Sequence, residues 1–211
     1  MMNRRIILAS ASPRRRELLH QVGLEPEIVP SHVEEVITST RPDQVVMELS
    51  AQKAADVAAQ YQGQQAVVIG ADTVVAADGK ILGKPGTEEE AVRMIEMLQG
   101  RTHQVYTGVT MIFADRGETV TFAEKTEVHV YPMTESQIRR YVATGEPMDK
   151  AGIRIGDTNT KQYEWQDKAG GYAIQGYFAK YIQRIEGDYY NVVGLPVSRV
   201  CQELIKAGFI I

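Results

Sequence analysis

The residues of this chain best suited to chemistry are cations, carboxylates and one helix start. The first sixteen residues hold five arginines and no acid. The whole chain is nevertheless acidic, with 23 Lys and Arg against 27 Asp and Glu and a formal net charge of −4. Arg14, Arg15 and Arg16 follow Ser12-Pro13, a pair that opens a helix with serine as N-cap and proline at the first helical position. A helix N-terminus already carries partial positive charge and disfavours cations. Arginine gathered there makes sense if an anion binds, because free backbone N–H groups and guanidinium forks both favour phosphate oxygens. The competing reading is a solvated basic face, since three arginines in one turn cannot all point one way.

Lys53 gains meaning from this. It stands on the apolar stripe Val46, Leu49, Lys53, Val57 of a predicted helix, where a lysine ordinarily snorkels its ammonium to the surface. The alternative is an ammonium at the rim of an anionic site. Glu34-Glu35 and Asp72 offer oxygen ligands for Mg²⁺, which binds one or two carboxylates together with substrate phosphates. Paired glutamates are common on surfaces and say little alone. Asp72 says more, because it follows the apolar run Ala66–Ala71 and so stands at the C-terminal end of a predicted strand, where open α/β sheets place their ligands. Lys84, between Gly83 and Pro85, is a further cation on a constrained loop. His20, His32, His103 and His129 show no metal-ligand spacing, which argues against zinc. No phosphate-binding glycine loop and no nucleophile elbow is present. Phosphate chemistry with water as nucleophile suits these groups; covalent catalysis does not.

The elements that must position them can be read from periodicity. Arg5–Ala9 is a short apolar run typical of a buried strand. The helix behind Ser12-Pro13 turns Leu18, Leu19 and Val22 inward and closes at Gly23. Glu27–Val29 reads as a second strand, and Pro42 starts a helix reaching about Tyr61. Ala66–Ala71 reads as a central strand buried on both faces. Thr73–Ala77 and Lys80–Leu82 flank Asp78-Gly79, a strong hairpin signal. Thr87 with Glu90, and Thr134 with Gln137, predict capping boxes for two helices. Residues 102–131 read as antiparallel strands turning at Asp115-Arg116-Gly117. Further strands are expected near Tyr172–Gln175, Phe178–Glu186 and Tyr189–Val193, and a last helix after Pro196. The fold class is α/β: a mixed twisted sheet with helices on its faces and a smaller hairpin-containing lobe.

At 211 residues a single domain is expected, able to bury about 70% of its unfolded surface without a staple. Apolar residues at 44% and charged residues at 24% exclude a disordered or fibrous chain. The acidic balance and the lack of a basic stripe with aromatic platforms argue against nucleic-acid binding. No apolar run approaches the ~18 residues of a membrane span, and the N-terminal run is too short for a secretory signal. A cytoplasmic location is expected. The single cysteine, Cys201, forbids an intrachain disulfide and reads as a buried core thiol beside Val197, Val200 and Leu204. The tetrapeptide Asp149-Lys150-Ala151-Gly152 recurs as Asp167-Lys168-Ala169-Gly170, which suggests a loop insertion around 151–168.

Taken in order, Ser10-Ala11-Ser12-Pro13-Arg14-Arg15, Glu34-Glu35, Lys53-Ala54, Gly70-Ala71-Asp72-Thr73, Gly83-Lys84-Pro85, Ile174-Gln175-Gly176 and Val193-Gly194-Leu195-Pro196 resemble the motifs of the Maf family across nearly the whole chain. The resemblance implies a nucleoside triphosphate pyrophosphatase that cleaves between the α and β phosphates. It also implies an elongated nucleotide cleft, in a fold related to the inosine triphosphate pyrophosphatases, and a divalent cation, Mg²⁺ or Mn²⁺. Arg14, Thr73 and Gln175 match the branch acting on dTTP and UTP, while the branch acting on 7-methyl-GTP tends to have other residues there. By motif position, Asp72 is the expected general base, with Lys53 and Lys84 also catalytic. Glu35 and Asp72 are the expected metal ligands. Ser10, Ser12, Arg14, Arg15, Thr73 and Gln175 are the expected substrate contacts. The departure from the family pattern is the stretch after Gly152, where Lys150 or Lys168 can take the family lysine's place. Two other readings remain open: a nucleotide-binding regulator of septum formation, and a purine-directed house-cleaning enzyme. Assembly is left open between a monomer and a homodimer.

Overall fold

The computed structural model describes residues 4–148 and 169–210. The insertion around 151–168, with Lys150 and Lys168, lies outside the described residues.

Arg5–Leu8 (β1) pairs in parallel with Glu27–Ile28 (β2) on one side and with Ala66–Ala77 (β3) on the other, in register Arg5↔Ala66 through Leu8↔Ile69. Strands buried on both faces read as continuous apolar runs, and Ile7, Leu8, Val67, Val68 and Ile69 are fully buried. Lys80–Leu82 (β4) folds back antiparallel on β3. Asp78 and Gly79 between them both have positive φ, 49° and 72°, as the favoured two-residue hairpin turn requires. Thr102–Phe113 (β5) and Glu118–Val130 (β6) are joined by a turn too short for a parallel crossover, and Ile182–Glu186 (β7) lies antiparallel to β6. The seven strands form one mixed sheet, in order β2-β1-β3-β5-β6-β7 with β4 on β3.

The helices are Pro13–Gln21 (α1), Pro42–Ala58 (α2), Glu88–Leu98 (α3), Glu135–Val142 (α4), Tyr189–Val193 (α5) and Val197–Lys206 (α6). Thr134 and Gln137 form the complete capping box. Thr87 caps Glu90, but the Glu90 carboxylate turns to the Gly86 N–H instead. Ser12 holds the N-cap position of α1 without a side-chain cap bond. Among the described residues no helix is long and apolar enough to cross a membrane.

Several expectations are corrected. The strand begun at Ala66 does not end at Asp72 but runs on to Ala77; an acid inside a strand needs only a partner for its side chain, and Asp72 has one. Residues 172–173 have no regular structure, residues 174–176 form a turn and Tyr177–Tyr181 a short 3-10 helix, so among the described residues of that region only Ile182–Glu186 is strand. Tyr189–Val193 is helical because Asp188 caps the Tyr190 N–H and Gly194, at φ 128°, stops it. Val22 lies past the last turn of α1 and is 37% exposed. Cys201 is half-buried, flanking the inward stripe Val197, Val200, Leu204.

Two compact units are built on these strands, each long strand contributing to both. The first holds residues up to Thr73, Val105–Thr126 and the chain from Gly187 on; the second holds Val74–Gln104 and the described part of Glu127–Glu186. Ile7, Ala9, Val57, Ala58, Tyr61, Ala66 and Val68 pack together in the first. In the second, α3 packs on α4, burying Ile95 and Leu98 with Ile138 and Tyr141.

Candidate active site

Two glycines set the site of the first unit. A Cβ on Gly70 of β3 would lie 2.3 Å from the Ser50 carbonyl and 2.7 Å from the Ala54 nitrogen, and one on Gly108 of β5 would lie 2.2 Å from the Val46 carbonyl. Only bare α-carbons let α2 lie this close on the sheet. Ser50, fully buried on the contacting face, bonds Thr110 Oγ1 at 2.9 Å. The close approach brings Lys53, next to Ala54, within reach of Asp72, two residues beyond Gly70.

Lys53 Nζ lies 2.5 Å from Asp72 Oδ1 and 2.9 Å from Glu35 Oε1. The Lys53 side chain is 18% exposed and that of Asp72 15%. The lysine on the apolar stripe therefore turns its ammonium to two carboxylates instead of to water. Three distant segments meet in this triad. Its second carboxylate is Glu35, not Glu34. Two carboxylates converging on one cation form a site that favours positive charge, and oxygen donors are what Mg²⁺ or Mn²⁺ takes. Glu35 and Asp72 thus fit the role of divalent-cation ligands.

A second network starts one residue further along β3. Arg15 is 6% exposed. Its Nε donates to the Gly194 carbonyl at 2.8 Å, Nη1 to Ser10 Oγ at 3.1 Å and Nη2 to Thr73 Oγ1 at 3.2 Å. Thr107 donates to the Asn191 carbonyl at 3.0 Å, so its 2.8 Å contact with Thr73 uses the Thr73 hydroxyl as donor. Ser10 Oγ also accepts from the Ser12 N–H at 3.2 Å. Three of the five Arg15 donors are spent on the protein, which leaves two for a ligand. Arg14 stands half-buried in the first turn of α1, and Arg16 is exposed and donates to His20. The structure thus brings Ser10, Ser12, Arg15 and Thr73 into one network and Glu35, Lys53 and Asp72 into another, joined at the Asp72-Thr73 peptide.

Lys84 and Gln175 belong to the second unit, and both are exposed. Their segments are tied within it: the Gly170 N–H donates to the Gly83 carbonyl at 3.0 Å, and the Gly176 N–H closes a turn on the Ala173 carbonyl at 3.1 Å.

One charged group escaped the sequence reading. Glu127, His129 and Glu186 bring metal-capable atoms within 4.8 Å of one another, alone in doing so as a set of three among the described residues. Glu127 and Glu186 face each other across β6 and β7. The only signal was Glu127 and His129 sharing a strand face; the third member arrives through sheet register. His103, 1% exposed, bonds the Tyr172 hydroxyl through Nε2 at 2.7 Å. Burial, with a smaller contribution from His129, lowers its pKa to about 4.

The family model described as Maf-like protein matches residues 5–154 and 156–207. A protein from Agathobacter rectalis named dTTP/UTP pyrophosphatase is 52% identical, covering 96% of this chain and 97% of that one. One of the same name from Bacillus cereus strain AH820 is 47% identical, covering 95% and 94%. A solved structure of a nucleoside-triphosphatase / dITP/XTP pyrophosphatase from Mycobacterium abscessus aligns with a TM-score of 0.39 and 17% identity, over 60% of this chain and 74% of that one.

Proposed function

This chain belongs to the Maf-like family, and we propose that it hydrolyses dTTP and UTP between the α and β phosphates, releasing nucleoside monophosphate and pyrophosphate. The observation that carries the reading is Lys53 held between Glu35 and Asp72, in a chain about half identical to relatives named for this activity.

Each residue's task follows from its chemistry. Lys53 fixes the Asp72 carboxylate at one oxygen, and that carboxylate takes a proton from the attacking water. General-base assistance of this kind gives about 10²–10⁴-fold. Glu35 and Asp72 would hold the divalent cation, which when bound neutralises phosphate charge. Arg14, Arg15 and Lys84 add positive charge along the triphosphate, with the hydroxyls of Ser10, Ser12 and Thr73 as further contacts. Preorganised charge of this sort supplies the larger share of the rate. Gln175 reads the base: uracil and thymine present a carbonyl beside a ring N–H, and an amide offers the complementary donor and acceptor. A single methyl is worth only about 1–3 kcal/mol in a pocket, so the two bases are poorly separated.

The setting is a cytoplasmic enzyme. A regulator of septum formation acting by partner contact alone is not favoured, because the relatives are named for hydrolysis. The test is a panel of nucleoside triphosphates with Mg²⁺ or Mn²⁺, scored for pyrophosphate against orthophosphate. Pyrophosphate from dTTP and UTP is expected. Orthophosphate as first product, or preference for inosine or 7-methyl-guanosine nucleotides, overturns the proposal.

A further inference from the structure

We propose that Glu146 is a positioning residue for base selectivity, holding in place the turn that carries Gln175; this rests on the reading of Gln175 given above. Glu146 follows the glycine that ends the α4 region, in a short polar stretch where an acid ordinarily faces water. Here its carboxylate is turned onto a distant part of the chain. Oε2 accepts the Tyr177 N–H at 2.6 Å, and Oε1 lies 3.4 Å from the Phe178 nitrogen as its acceptor. The Tyr141 hydroxyl donates to Oε1 at 2.8 Å. Burial first, and then the Glu146 charge, push the Tyr141 hydroxyl far up, so it remains a donor at any working pH.

The carboxylate occupies the place of a side chain on Gly176. A Cβ there would lie 2.1 Å from Glu146 Oε2 and 2.5 Å from Cδ. Gly176 has φ −108° and ψ −154°, ordinary extended backbone, so the position requires glycine for room and not for conformation. The acid therefore caps the 3-10 helix Tyr177–Tyr181, whose first N–H groups lack partners of their own, and lies against the last residue of the Ala173–Gly176 turn. Gln175 sits inside that turn, closed by the Gly176 N–H on the Ala173 carbonyl. On the far side Phe178 is fully buried, with ring centroids 5.0 Å from Tyr141 and 4.7 Å from Tyr172. The buried ring anchors the segment from within, and Glu146 fixes the backbone that leads from it to Gln175.

An exposed amide reads a base only if its backbone is held to about 0.5 Å. Loss of Glu146 should therefore act on base recognition before it acts on turnover. In Glu146→Gln the new NH₂ group meets backbone donors where an oxygen accepted them. The ratio of kcat/KM for UTP over CTP is expected to fall at least about tenfold, mostly through a higher KM for UTP, with kcat lowered less than about threefold. Gly176→Ala, whose methyl displaces the same carboxylate, should reproduce the effect and serves if the first variant fails to fold. Amide exchange at Tyr177 and Phe178 should quicken at least about tenfold in either variant. An unchanged UTP/CTP ratio in a folded variant, or an equal loss of kcat on every base, overturns the selectivity role. Unchanged exchange at both amides overturns the holding role. If the wild type itself releases no pyrophosphate from UTP, the proposed reaction falls and the selectivity role with it, while amide exchange still decides whether the carboxylate holds the segment.

Discussion

Two pairs of carboxylates in this protein meet their positive partners by different routes. Glu35 and Asp72 come from segments far apart and converge on Lys53, with Asp72 and Lys53 largely out of water. Glu127 and Glu186 are direct neighbours across β6 and β7, and Glu186 is answered from its own strand by Arg184 at 2.5 Å, with the His129 Nε2 3.3 Å away across the strands. Half of the Glu186 side chain is exposed. β7 ends the sheet order, and charge on an edge strand deters pairing with other chains. Glu35, like Glu186, keeps about half of its side chain exposed, but the Lys53 ammonium and the Asp72 carboxylate are withdrawn from water together, which carries a desolvation penalty. The first pair thus fits the chemistry proposed above, and the second joins β6 to the edge strand β7.

Breaking the first pair should have the larger effect. Lys53→Met leaves two carboxylates facing each other without their shared cation, and kcat/KM for dTTP is expected to fall about 10²–10³-fold. A loss below fivefold in steady-state assays would return Lys53 to the role of a surface-seeking side chain. The second region should show its charge in stability instead. His103, about 4 in the fold against 6.5 in the unfolded chain, stays neutral while the unfolded chain takes up a proton. Its contribution is intact above pH 6.5 and is lost as pH falls from there towards 4. The loss by pH 5 is on the order of 2 kcal/mol. Urea midpoints from pH 7.5 to 5 should accordingly fall less steeply in His103→Gln than in the wild type; equal slopes would remove His103 from the account. The smallest effect is expected for Glu186→Gln, with activity within about twofold and stability changed by less than ~1 kcal/mol. A tenfold loss of turnover there would erase the distinction between the two pairs.

The sequence carried more of the site than of the C-terminal fold. Lys53 stood out because an ammonium on an apolar helical stripe is a local inconsistency, and the structure answers it with Glu35 and Asp72. Asp72 stood out because it interrupts an apolar run, although the strand itself continues. The reason for Gly70 was not legible: it depends on how closely α2 crosses the sheet, a tertiary fact with no periodicity. Glu146 was missed for the same reason, since a lone acid in a polar turn looks solvated until Gly176 and Tyr177 are folded against it. Tyr189–Val193 misled because aromatic and β-branched residues favour strands, whereas a cap at Asp188 and a stop at Gly194 decide for a helix. Glu127 and Glu186 meet only through register, which their spacing in the chain does not reveal.

The proposed mechanism turns on a carboxylate, Asp72, that Lys53 holds ready to take a proton from water. Its most direct test is pyrophosphate release from UTP by Asp72→Asn, in protein shown to be folded and to bind the nucleotide as the wild type does. The amide keeps the shape and loses the basicity, so turnover should all but vanish. A variant retaining more than a tenth of the wild-type rate would contradict the role given to Asp72.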